Sequence, residues 1–327
     1  MQRGTIFADL HTHTTASDGA HSPTMLVQRA FERALKAVAV TDHDTVAGVA
    51  EARKAAEERG MAFLSGIEVS ATMNGVGVKN TDTKNSSQRE VHILGYGVDE
   101  SNHALLRYAA ECEKERTRRA ERIIARLQEL GQSLTLQDVR RVSGDGVIGR
   151  HHIATAMRNA GMVRTVRDAF DKFLADDAPA AVAKWTFPAD KAIQMIHAAG
   201  GVAVLAHPAR IVSDDDLETL VSAGLDGIEI HHPAHDGFTA QFYEYFTETR
   251  NLLASGGSDY HGGSKRDDSN LGRFGLMQDD FTRFLETLQQ RIHERQATRH
   301  TSEFFSLSVL ESAPVQRIKQ AFTRFLE

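Results

Sequence analysis

The placement of histidines and carboxylates constrains this chain more than any other feature. Of its 327 residues, 16 are histidine, and nearly every acidic or histidine cluster follows a short apolar run that reads as a β-strand. His11 and His13 follow the run at 6–10, His43 in Thr41-Asp42-His43-Asp44 follows 37–41, and Glu68 belongs to the end of the run 61–72. His92 lies within 90–96, His207 follows 202–206, and Asp259 with His261 follows 253–258. Such distant side chains share one site only if their strands lie side by side and end on one face. That is the geometry of a βα fold with its active site at the C-terminal strand ends.

The intervening spacing agrees. Ser22-Pro23 opens a predicted helix through Ala34, and a second runs from about 46 to Gly60, which stops it. Residues 73–89 are polar and rich in Gly, Asn and Ser, which predicts a loop. After Ser101 the rhythm changes to helical patterns alone: a long charged helix over 102–130, then 135–143, 150–160 and 165–174. This block reads as an inserted helical subdomain. The βα rhythm resumes at Pro188 with helices to 199, over 214–223 and over 237–250, and strands at 202–206, 227–230 and 253–258. Seven strands with such helices predict an α/β barrel, with an open doubly wound parallel sheet as the alternative. Residues beyond 280 read as a helical extension, in which Phe-Thr-Arg-Phe-Leu-Glu occurs at 281–286 and again at 322–327, a duplicated fragment or chance.

Composition narrows the class. Charged residues make up 25% and apolar residues 41%, which fits a soluble globular chain and excludes collagen-like or wholly disordered states. A net charge of −6 argues against a broad basic surface for nucleic acid, while leaving room for a local basic pocket. The single cysteine, Cys112, cannot form an intramolecular disulfide, no run of about 18 apolar residues offers a membrane span, and the polar N-terminal stretch predicts no secretory signal. A cytoplasmic enzyme with no membrane association is expected.

Histidines two apart on a strand project to the same side, and the same holds for Asp259 and His261. Imidazole and carboxylate without thiolate suit Mn²⁺, Fe²⁺ or Zn²⁺ in sites that keep positions open. The candidates are His11, His13, Asp18, His43, Glu68, His92, His207, Asp259 and His261, more than one ion needs. Two or three divalent ions sharing a carboxylate are therefore expected, with Mn²⁺ first. Such clusters split phosphoesters by metal-hydroxide attack. Taken singly, each motif has a plain structural reading: a capped turn for His11 and His13, a helix cap for Asp44, a turn residue for Asp18, a strand end for His207 before Pro208. Their shared position at the strand ends is what argues for one site.

The motifs Asp9-Leu10-His11-Thr12-His13, Ser17-Asp18-Gly19, Thr41-Asp42-His43-Asp44, Gly66-Ile67-Glu68-Val69-Ser70, Val91-His92-Ile93-Leu94-Gly95, Ala206-His207-Pro208 and Ser258-Asp259-Tyr260-His261 resemble, in order, those of the PHP (polymerase and histidinol phosphatase) family. The resemblance covers 1–100 and 190–262. It implies a distorted (β/α)7 barrel formed by 1–100 and 187–280, with 101–186 inserted and 281–327 as the extension. It also implies one ion on His11, His13, Glu68 and Asp259, a second on Glu68, His92 and His207, and a third on Asp18, His43 and His261.

Gly149-Arg150-His151-His152, Val166-Arg167-Asp168-Ala169-Phe170 and Ala198-Ala199-Gly200-Gly201 resemble the branch containing 3′,5′-nucleotide bisphosphate phosphatases and the 5′-to-3′ exonuclease RNase AM. By that resemblance Arg150 would hold a phosphate, with His152 and His235 on the substrate side. Without it, Arg150 reads as an ordinary helix N-terminal ion pair. The 73–89 loop is long for this branch, and His151 stands where the branch often has Pro or Thr. Cys112 reads as a helix-face residue, His197, His293 and His300 as surface positions, and His231 and His232 have no assigned role.

The expected activity is hydrolysis of phosphate esters of small nucleotides of the 3′,5′-bisphosphate type. The alternatives are 5′-to-3′ exonuclease action on short RNA, in which Lys114-Glu115-Arg116-Thr117-Arg118-Arg119 could border a groove, and metal-dependent amide hydrolysis. A metal-stabilised accessory module without turnover is the non-enzymatic reading. A nucleotide or short oligonucleotide is the expected partner, and no obligatory protein partner is predicted.

Overall fold

The computed structural model describes residues 5–74, 88–144, 146–209 and 212–302, with backbone alone for 74, 88 and 297–302. Most of the 73–89 loop, the part of the extension from 303 onwards, the second copy of its repeat and the His300 side chain lie outside the described residues. In chain order the elements of the first half are β1 (Ala8–Asp9), α1 (Pro23–Glu32), β2 (Ala37–Val40), α2 (Val49–Glu57), β3 (Ala62–Asn74), β4 (Gln88–Tyr96) and α3 (His103–Glu129). There follow α4 (Leu136–Ser143), α5 (Arg150–Asn159), α6 (Val166–Ala169) with a π-helical turn (Phe170–Leu174), α7 (Ala189–Ala198) and β5 (Val202–Leu205). The chain continues through α8 (Asp214–Ser222), β6 (Gly227–His231), α9 (Gly237–Arg250), β7 (Leu253–Gly256), α10 (Lys265–Asn270) and α11 (Gln278–Ser302).

The seven strands lie side by side in chain order. Neighbours are parallel except at β4, which runs antiparallel to both β3 and β5. The expectation of a parallel sheet is corrected at this strand. Asn74 pairs with Gln88, so the chain leaves β3 and enters β4 at the same end of the sheet, which a parallel pair cannot do. The reversal brings the N-terminal half of β4, with His92, to the end where the other strands finish. Met73, Asn74, Gln88 and Arg89, read as loop, are strand residues.

Just past β1 and β7 the chain segments bond to each other. Leu10 N–H donates to Gly256 O at 3.1 Å, and His13 N–H to Tyr260 O at 2.8 Å. These bonds draw the two outermost strands of the seven-stranded sheet towards each other, in the manner of a distorted (β/α)7 barrel.

Alternation along the strands sorts side chains between interior and exterior. Ala8, Leu10, Ala37, Ala39, Leu64, Leu94, Tyr96, Val202, Val204 and Leu253 form one cluster with Phe281, Phe284, Leu285, Leu288 and Ile292 of α11. Small alanines on β1 and β2 leave room there for the larger residues opposite. The other faces of the strands pack outward: Val38 and Val40 on α1 and α2, and Ile67, Val69, Ile93, Leu205, Ile228 and Ile230 on α7 to α9 and the first half of α3. Each such fully buried Val, Leu or Ile stabilises the fold by about 1.5–3 kcal/mol.

The second half of α3 turns to a separate cluster, Ile123, Ile124 and Leu127 against Val139, Ile153, Met157 and Leu174. The inserted helices thus have a core of their own. His197 is half-buried, its ring paired with Asp226 at 2.8 Å and its side chain 19% exposed. His293 is exposed and Cys112 buried on α3. None of the described helices is long and apolar enough to cross a membrane.

Candidate metal centre

Three buried carboxylates, Asp9, Asp42 and Asp44, hold the segments after β1, β2 and β7 in place. Asp9 accepts hydrogen bonds from Ser258 N–H at 2.9 Å and His11 N–H at 3.3 Å, tying the turn after β1 to that after β7. Asp42 accepts from Thr14 N–H and Thr14 Oγ1, both at 2.7 Å, and from Ser17 Oγ at 2.6 Å, which folds the turn that delivers Asp18. Asp44 accepts from Ser70 N–H at 2.7 Å, Tyr108 Oη at 2.6 Å and the Arg116 guanidinium, clamping the His43 turn to β3 and α3. Asp44, His207 and Asp259 have φ of 57°, 28° and 52°. Such left-handed backbone in non-glycine residues costs about 1–3 kcal/mol each and persists where surrounding contacts enforce it.

These turns aim all nine sequence-predicted ligands at one place. His11 Nε2 lies 3.4 Å from both Glu68 Oε2 and Asp259 Oδ1, and His13 Nε2 lies 3.3 and 3.2 Å from the same two atoms. Glu68 Oε1 is 2.8 Å from His92 Nδ1 and 2.9 Å from His207 Nε2. On the other side of the cluster, His43 Nδ1 is 2.8 Å from Glu68 Oε2, and His261 Nε2 is 3.3 Å from Asp18 Oδ1. His11, His13, Glu68 and Asp259 can present one ligand atom each within 4.8 Å of one another, as can His13, Asp18, His43 and His261. Glu68, fully buried, sits at the junction.

The donor set fits divalent cations. His11 Nε2, both nitrogens of His13, Asp18 Oδ1, His43 Nδ1 and Glu68 Oε2 are buried without a well-directed hydrogen bond, facing opposite charges at 2.8–3.4 Å where they face any, a state that a shared cation would relieve. The field points the same way. Burial opposes charge on His11, but Glu229, Glu68 and Asp259 outweigh it and hold the ring well above the usual imidazole range. Against the same burial penalty, Asp259 and Glu68 push His13 up to about 10, and Glu68 with Glu90 pushes His92 to about 9. Burial also opposes charge on Glu68, yet His43, His92 and His11 hold it well below the carboxylate range. The pocket favours net positive charge at its centre.

The substrate-side candidates stand around this cluster in different states. Arg150, first residue of α5, donates to Leu174 O at 3.1 Å and pairs with Asp176 at 2.5 Å, so the ordinary ion pair is present. Asp176 is 90% exposed, and a solvent-facing pair of this kind is weak enough to exchange for another anion. His152 Nδ1 accepts from Gly149 N–H at 3.1 Å, which puts the ring proton on Nε2. Burial lowers its pKa, and Asp18 is close enough to oppose that. His235 is not set up as a proton donor: Nδ1 donates to Ile230 O at 2.7 Å while Nε2 accepts from Ala209 N–H at 3.0 Å.

Two buried residues beside the cluster had no role in the sequence reading, Glu229 and His232. The signal for Glu229 was its register: the inward position of β6 between outward Ile228 and Ile230.

Comparison with known proteins agrees with this architecture. The PHP domain pattern matches residues 9–167. The chain is 34% identical to a 3′,5′-nucleoside bisphosphate phosphatase of Chromobacterium violaceum over 77% of its own length and 86% of the relative. It is 31% identical to the 5′-3′ exoribonuclease Rnm of Escherichia coli over 78% of its length and 85% of that protein. A crystal structure from Bifidobacterium adolescentis, assigned as a metal-dependent phosphoesterase, superposes with a TM-score of 0.75 at 31% identity, covering 87% of this chain and 98% of that one. On sequence, order of motifs and fold together, the chain belongs to the PHP domain family.

Proposed function

We propose that this chain is a metal-dependent phosphoesterase that removes phosphate from a 3′,5′-nucleoside bisphosphate or a closely related small nucleotide. The observation that carries the reading is the cluster itself: nine imidazoles and carboxylates from six strands, Glu68 and His92 within theirs and the rest on the segments that follow, come together with their donor atoms buried against one another. The similarity to a bisphosphate phosphatase supports the substrate class. One ion would be held by His11, His13, Glu68 and Asp259, a second by Glu68, His92 and His207, and a third by Asp18, His43 and His261. Mn²⁺ is the first candidate, and Fe²⁺ and Zn²⁺ are the alternatives. Ions of this kind supply an activated water and neutralise phosphate oxygens.

The remaining work falls to side chains. Arg150 would exchange Asp176 for a substrate phosphate, its planar fork matching two oxygens. His152, with its proton on Nε2, would donate to a phosphate oxygen or to the leaving alkoxide. His235 would shape the turn after His207 and serve as a donor only after releasing Ala209 N–H. The helices of 101–186 would act as a cap on the barrel of 1–100 and 187–280, held through Tyr108, Arg116 and the bond from Val147 N–H to Ala16 O at 3.4 Å. The proposal includes a cytoplasmic location, where nucleotide substrates are found.

Exonuclease action is the second reading, favoured by the similarity to Rnm. The test is product analysis of Mn²⁺-loaded protein on adenosine 3′,5′-bisphosphate and on a short 5′-phosphorylated RNA. Phosphate released from the bisphosphate supports the first reading, and mononucleotides from the RNA support the second. Silence on both, with metal bound, would overturn the assignment and turn attention to amide substrates.

A further inference from the structure

Outside the nine candidate ligands, one buried carboxylate touches two of them. Glu229 is fully buried, with Oε1 3.0 Å and Oε2 3.2 Å from His11 Nδ1. Oε2 also accepts the backbone N–H of His207 at 2.8 Å, at a residue whose φ of 28° needs external support. A neutral imidazole offers one lone pair. His11 Nε2 has no hydrogen-bond partner and faces Glu68 and Asp259 at 3.4 Å. If Nε2 gives its lone pair to a cation, the ring proton sits on Nδ1 and needs an acceptor, which Glu229 provides.

His11, Glu229 and His232 are close enough to suggest an ion position of their own. The proton positions argue against it. His232 Nδ1 accepts from Ala234 N–H at 3.0 Å, so its proton is on Nε2, which faces Asp259 Oδ2 at 3.5 Å. With His11 Nδ1 also protonated, neither ring has a lone pair to share with Glu229 around an ion.

We propose that Glu229 is a positioning residue: its carboxylate fixes the tautomer and orientation of His11 and holds the backbone of His207, so one side chain aligns ligands of two adjacent ion positions. This rests on the ligand assignment proposed above. Partners of this kind set metal affinity, and losing one weakens it roughly 10–100-fold.

Glu229→Gln keeps the shape and one acceptor but loses the second. Mn²⁺ affinity, measured by competition with a chelating dye, is expected to fall by roughly 10–100-fold, with the number of ions bound at saturation unchanged by elemental analysis. Phosphoester turnover should return at high Mn²⁺. Unchanged affinity would overturn the proposal, and so would one ion fewer at saturation, which would make Glu229 a ligand. Should the variant fail to fold, nitrogen-15 NMR of histidine-labelled, Zn²⁺-loaded wild type decides instead. The Nδ1–H tautomer of His11 is expected, and the Nε2–H tautomer would overturn the proposal. A wild type that binds metal but splits no phosphoester would sink the functional reading alone, because affinity and tautomer are read without turnover.

Discussion

The Tyr108 hydroxyl donates to Asp44 Oδ1 at 2.6 Å, and through this bond the inserted helix α3 grips the turn that carries His43. Asp44 also binds Arg116 with its other oxygen, so one buried carboxylate joins α3 to the turn after β2. Tyr108→Phe removes a bond to a charged acceptor and is expected to cost about 1–3 kcal/mol. Asp44→Ala strands the Arg116 charge and should cost about 3–5 kcal/mol. Urea unfolding measures both, and a wild-type midpoint for Tyr108→Phe would contradict the account.

Asp259 presents Oδ1 to His11, His13 and His261, at 3.4, 3.2 and 3.6 Å. Asp259→Ala is expected to abolish metal-dependent turnover and most of the thermal stabilisation that Mn²⁺ gives, while leaving the circular dichroism spectrum intact. Ligand-linked stabilisation grows with ligand concentration over Kd, about 2.7 kcal/mol at a hundredfold excess. An equal Mn²⁺-induced shift in variant and wild type would exclude Asp259 as a ligand.

Gly257 lies against the start of the His11 side. A Cβ there would come within 2.3 Å of His11 Cβ and 2.4 Å of His11 N, so the strand end that carries the ligand would have to move. Gly257→Ala is expected to destabilise by about 1–3 kcal/mol, as overpacking does, and to weaken Mn²⁺ binding. Calorimetric titration and thermal melts read the two effects, and wild-type values in both would show that this approach has no consequence.

Burial, aided by the Asp44 charge, pushes the Cys112 thiol up to about 12. The thiol therefore stays neutral at pH 8, and aromatic disulfide reagents should label the folded chain far more slowly than the urea-unfolded one. The sign for stability follows: the folded state binds the proton more tightly, so this contribution is complete below the unfolded pKa and is lost as pH rises towards 12. Labelling at the unfolded rate would contradict the burial.

Most of the barrel was legible in the sequence because most of its strands are short apolar runs bounded by turn residues. The runs ending near Leu10, Thr41 and Ala206 carry ligands at their ends, so strand position and site position came together. The reversed β4 was harder to read, since its direction depends on where Asn74 and Gln88 pair, which periodicity does not encode. Glu229 escaped because a single glutamate between two isoleucines looks like an exposed strand position until the fold sets it against His11. Asp9, Asp42 and Asp44 were visible as motif members, but their task of holding turns depends on partners far away in sequence, Ser258, Thr14 and Tyr108. For His235 the sequence could not show that both ring nitrogens are bonded to backbone, at Ile230 O and Ala209 N–H, because those partners are set by the turn geometry.

The most direct test is the rate of phosphate release from adenosine 3′,5′-bisphosphate as Mn²⁺ is titrated into metal-stripped protein, wild type beside Asp259→Asn. The account predicts release that rises with Mn²⁺ and saturates in the wild type, and stays near background in the variant. Release that is independent of metal, or equal in both proteins, would contradict it.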